Sequence, residues 1–155
     1  MRRIMFWLGG ALIVVLLVVQ FVPYGRRHTN PPVTQEPQWD QPRTRALAAR
    51  ACFDCHSNET VWPWYTHVAP VSWLVQRDVD EGRRALNYSE WDRGQREARE
   101  SAKSLRKSEM PPWFYALPGT SAHLTQAERA ELIAGLEATF GTERSRRRDR
   151  VDKND

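Results

Sequence analysis

Residues 4–22, IMFWLGGALIVVLLVVQFV, form a run of 19 without a charged side chain, and no other feature limits the fold as much. A helix rising about 1.5 Å per residue needs about 20 apolar residues to cross a hydrocarbon core roughly 30 Å thick, so this run reads as a membrane segment. In a chain of 155 residues it leaves room for one modest domain with accessory segments, and not for two domains. A charged start before an apolar stretch also describes a secretory signal. This run, however, exceeds the usual signal core of about 7–15 residues, and Phe21, Pro23 and Tyr24 stand at its end in place of a small-x-small cleavage site. Residues 1–22 are therefore expected to remain as a single-pass anchor.

Charge and composition divide the rest. Between residues 23 and 142 there are 15 Lys/Arg and 15 Asp/Glu, so the basic pI of about 9.4 comes from the two ends. A near-neutral domain lacks the basic face that a nucleic-acid partner requires. Residues 23–42, with five prolines and no apolar periodicity, read as a linker, and the charged tail 143–155 reads as disordered. The domain, 43–142, is expected to be all-α. A helix should start near Arg43, a second should cover 71–86, and a third should run from Ser89 as N-cap to about Lys107 with a thin stripe of Trp91, Ala98, Ala102 and Leu105. Pro111 and Pro112 would stop it. The last helix has a capping box, Thr125 and Glu128, then Leu132, Ile133, Leu136 and Phe140 on one face, with Gly141 at its end.

The chemistry is concentrated in CFDCH, where Cys52 and Cys55, the two cysteines of the chain, precede His56. C-x-x-C-H is the attachment pattern of c-type haem. Each thiol adds across one vinyl group, and positions i, i+3 and i+4 of a helical turn share a face, so the two thioethers and the imidazole can address one ring together. A structural zinc site would need four ligands, and no second cysteine pair exists. A redox dithiol would want a β-α-β setting and would leave His56 without a role. With His56 below the iron, Met110 in KSEMPPWFY is the expected distal ligand, His123 the runner-up, and His67 a surface or haem-edge residue. Arg83, Arg84 or tryptophan N–H groups are candidates for the haem propionates.

CFDCHSN, MPP and ERAELIAGL together resemble a single-haem class I cytochrome c, whose first and last helices cross and whose methionine loop closes the haem pocket. More closely, CHSNETVWPWYTHVAPVSWL, EGRRALNYSEW and EMPPWFY resemble a family of small bacterial haem-binding domains, over residues 43–140. The resemblance implies Cys52 and Cys55 as covalent attachment sites for one haem c, His56 as proximal ligand and Met110 as distal ligand. It also implies attachment outside the bacterial cytoplasmic membrane. That sets the orientation, which Arg2 and Arg3 against Arg26, Arg27 and His28 leave nearly balanced: N-terminus inside, domain periplasmic. His/Met ligation leaves no open iron position, so the expected role is one-electron transfer to a redox protein or membrane complex, with no small-molecule substrate and no catalysis. The alternatives are a gas-sensing or peroxide-reactive haem protein, and an accessory haem subunit of a larger complex.

Overall fold

The computed structural model describes residues 2–141; the expected disordered tail lies outside the described residues. The apolar run is helical: α1 is Arg2–Val18, prolonged by a 3-10 turn, Val19–Phe21, and none of its residues is buried. Together they make a helix of 20 residues, long and apolar enough to cross a membrane. The domain contributes α2 (Pro42–Ala51), α3 (Phe53–His56), a 3-10 turn at Trp64–His67, α4 (Val71–Ala85), a 3-10 turn at Ala98–Glu100 leading into α5 (Ser101–Arg106), and α6 (Gln126–Phe140). Among the described residues there is no strand, only one isolated bridge between Gln35 and Glu90. The fold is all-helical.

Pro42 starts α2 at its first turn, where its missing N–H costs nothing. The capping box of α6 is formed: Thr125 Oγ1 accepts from the Glu128 N–H, and Glu128 accepts from the Thr125 N–H. These two helices pack tightly. A Cβ at Gly135 would fall 2.1 Å from Thr44 Oγ1, so only glycine permits this approach. Arg50 ties α2 to the start of α6, with Glu128 at 2.6 Å and the His123 carbonyl at 2.9 Å. The core between α2, α5 and α6 is Leu47, Leu105, Leu132, Leu136 and Phe140, closed by an aromatic cluster around Tyr88. Trp39, Phe53 and Phe140 lie with ring centroids 5.2, 5.6 and 6.0 Å from it. Apolar burial of this kind supplies most of the folding free energy.

Two expectations are corrected. The third helix does not begin at Ser89; regular structure resumes only at Ala98. The Ser89 carbonyl accepts from Thr34 N–H at 2.9 Å and Gln35 N–H at 3.2 Å, and the Ser89 hydroxyl accepts from Asn58 N–H. Gln95 then holds the segment open, taking the Asn87 N–H and donating to the Glu90 carbonyl. Partners distant in sequence thus replace the i→i−4 ladder. Ala98, Ala102 and Leu105 are buried nonetheless, so the apolar stripe was legible although the helix start was not. The helix also ends before the two prolines, at Arg106, with Ser108 in the left-handed region (φ 60).

The second correction concerns residues 23–41, which do not run free. They form a strap across the domain. Arg83 donates to the Thr29 carbonyl and to Asn30 Oδ1, both at 3.0 Å; Asn58 donates to the Pro32 carbonyl at 3.1 Å; His28 stacks on Trp62 with centroids 4.3 Å apart; Trp39 enters the core. Proline-rich backbone has few N–H groups but every carbonyl, and the domain supplies the donors.

Candidate functional site

The CFDCH segment occupies one tight turn where α2 gives way to α3. Cys52 leaves helical geometry (φ −126, ψ −34), yet its carbonyl accepts from Cys55 N–H at 3.2 Å and His56 N–H at 2.8 Å. Phe53, 4% exposed, anchors the turn in the core, and Cys52 packs against the same core. Both thiols are free. Burial, joined at Cys55 by Asp78 and Asp54, pushes each thiol up to about 12, so both remain protonated at neutral pH.

His56 is placed by α4. Its Nδ1 lies 3.0 Å from the Gly82 carbonyl and 3.1 Å from the Leu86 carbonyl. Both partners can only accept, so Nδ1 carries the proton and Nε2 keeps its lone pair. Burial holds the ring neutral by lowering its pKa against the two carbonyl bonds. Such an imidazole is prepared to ligate through Nε2. Gly82 makes the arrangement possible: a Cβ there would stand 2.3 Å from the Cys55 carbonyl oxygen.

Asp54, between the two cysteines, ties three segments together. Its carboxylate accepts from Val61 N–H at 2.8 Å and from the Tyr115 hydroxyl, and its carbonyl accepts from Thr60 at 2.7 Å. Burial, then the bond to Asp54, raises the Tyr115 pKa, so the phenol stays a donor. This bond lays the loop after α5 against the CFDCH turn. Met110 is on that loop, 41% exposed, with its N–H directed to the Ser104 carbonyl. His67 lies elsewhere, its ring 4.1 Å from that of His28, and His123 is bonded to the Ala116 carbonyl at 3.2 Å. Arg83 donates to the strap, to the Ser57 carbonyl and to Thr60. Gly82, Asp54 and Tyr115 are not singled out by the sequence reading; an interior glycine in a helix was the one visible signal, at Gly82.

Among the described residues, no group of three or more His, Cys, Asp or Glu side chains gathers to hold an ion unaided. A small helical domain that offers one neutral imidazole and two thiols from a single turn suits a haem protein. Residues 14–138 match the family model of the haem-binding domain, more than half of the chain, and the protein belongs to that family. No curated protein and no solved structure matches the chain. The matched span takes in the strap as well as the helices, consistent with their forming one unit. The residues present fit a haem: a nitrogen ligand with its tautomer set, and two free thiols on the turn that carries it.

Proposed function

We propose that this protein is a membrane-anchored, monohaem c-type cytochrome that transfers single electrons on the outer face of the cytoplasmic membrane. The observation that carries the reading is the bonding of His56 Nδ1 to two carbonyls, which leaves Nε2 as a ligand on the turn that also presents Cys52 and Cys55. Cys52 and Cys55 would hold the ring through thioethers, His56 would take the proximal position and Met110 the distal one. The bound group would supply reversible one-electron chemistry. The chain itself orients the imidazole through Gly82 and Leu86, and it brings the methionine loop to the turn through Tyr115 and Asp54. A retained α1 would keep the domain near a redox protein or membrane complex, its proposed partner.

Absorption spectra test this, recorded oxidised and reduced, with and without carbon monoxide, on native protein and on Met110→Ala. A low-spin native spectrum indifferent to carbon monoxide, lost in the variant, is the expected result. The pyridine adduct should show thioether-linked haem, and Cys52→Ala with Cys55→Ala should abolish it. A native protein that is high-spin and binds carbon monoxide would replace electron transfer by gas or peroxide chemistry, a reading that the exposure of Met110 would then favour.

A further inference from the structure

The chain leaving α1 is fixed to the domain at two points. Gln20 Nε2 donates to the Ala69 carbonyl at 2.8 Å, and Ala69 N–H donates to Gln20 Oε1 at 3.0 Å, a two-point amide pairing. Five residues later Gly25, at φ 75, lies so close to α4 that a Cβ would meet the Ser72 carbonyl oxygen at 2.3 Å. The domain therefore does not swing on residues 23–42. With α1 across a bilayer, residues 69–72 stand at the depth of the lipid headgroups, because Gln20 is at the end of the span.

The surface at that depth is largely apolar, with the exposed Arg26 at its edge donating to Gln20 Oε1 at 3.4 Å. Phe21 is 87% exposed and Leu74 60%, with Val68, Val71 and Tyr24 also exposed beside them. Between the end of α1 and α4 is an open hollow of about 380 Å³, lined by Val22, Tyr24, Trp73, Leu74 and Arg77. Aromatic rings favour the membrane–water interface, and an arginine at its edge can reach lipid phosphate while its stem stays in apolar surroundings. Arg77 pairs with Glu81 at 2.9 Å in an exposed position, a bond weak enough to exchange for phosphate.

We propose that this patch is a bilayer seat: the start of α4 and the residues around the α1 exit rest in the outer leaflet and hold the haem domain in one orientation. The inference rests on the anchored reading above. Lipid is the occupant because the patch is continuous with the helix that lies in lipid. Gly82, which positions His56, is eleven residues beyond Val71 on the same helix, so at about 1.5 Å per residue the candidate site stands no more than roughly 17 Å along α4 from the seat. An electron partner is then one embedded in, or lying on, the same membrane.

The test uses the full chain in vesicles of phosphatidylcholine and phosphatidylglycerol, with benzoylphenylalanine placed in turn at Val71, Leu74 and, as control, the open position Gly94. After irradiation, intact mass should show lipid adducts at Val71 and Leu74, several-fold above Gly94. Adducts to a second copy or another protein, or no excess over the control, would overturn the seat. The mass of the chain recovered from cell membranes is measured first. Loss of residues 1–22 there would overturn the anchored reading together with the seat, whereas an intact chain without lipid adducts would overturn the seat alone.

Discussion

Replacing Gly82 by alanine puts the reading of the site under the sharpest strain. In an exposed helix this change stabilises by about 1 kcal/mol, since alanine loses less backbone freedom. Here the new Cβ would stand 2.3 Å from the Cys55 carbonyl oxygen and 2.9 Å from its carbon, more than 1 Å and 0.5 Å respectively inside the 3.4 Å at which ordinary contact begins. Those atoms are backbone of the short α3 turn, so no flexible side chain can give way. Overpacking of this size costs about 1–3 kcal/mol, and with the propensity gain subtracted the expected net loss is about 0–2 kcal/mol, which is about 1–3 kcal/mol below a glycine-to-alanine change made in open space. A domain near 100 residues then loses about 4–8 °C in Tm for each kcal/mol. Because the turn must retreat, the His56 bonds to Gly82 and Leu86 lengthen, and haem incorporation should fall along with stability. Urea denaturation of the variant, beside Gly94→Ala as control, measures the first. Gly94 has no atom within 4 Å of its would-be Cβ, so its alanine should be neutral or stabilising. Gly82→Ala matching Gly94→Ala in both midpoint and haem content would refute the close packing of α4 on the CFDCH turn.

Tyr115→Phe removes the hydroxyl bond to Asp54 and should cost about 1.5–3 kcal/mol, the range for a hydrogen bond to a charged group. If Met110 ligates, the same variant should also bind carbon monoxide faster than native protein, measured by stopped flow. Arg83→Leu deletes the donors to Thr29, Asn30, Ser57 and Thr60, and hydrogen exchange should then rise first in residues 27–35 and only later in α6; uniform change across the domain would speak against a separable strap. Glu128 is held down to about 2 by the Thr125 N–H first and by Arg50 second. A depressed carboxylate contributes stability that is present above its ordinary value near 4.5 and lost as pH falls toward 2, so Glu128→Gln should flatten the fall of Tm between those limits. An unchanged pH profile would show that the capping carboxylate is not so held.

Local patterns carried much of this protein in the sequence. Nineteen uncharged residues could only be a long apolar helix, the capping box fixed the start of α6, and C-x-x-C-H brought two thiols and an imidazole onto one turn by covalent spacing alone. These are signals in which each residue acts on neighbours a few positions away. Tertiary structure decided the rest, wherever a hydrogen-bond partner or a contact came from far along the chain. Ser89 looked like a helix cap until its carbonyl met the strap, and residues 23–41 looked like a linker until Arg83 and Asn58 supplied donors that proline-rich backbone cannot supply itself. The same holds for the site. The motif names His56, but the nitrogen that carries its proton depends on two carbonyls 26 and 30 residues away, and on a glycine that lets their helix come close enough to accept it.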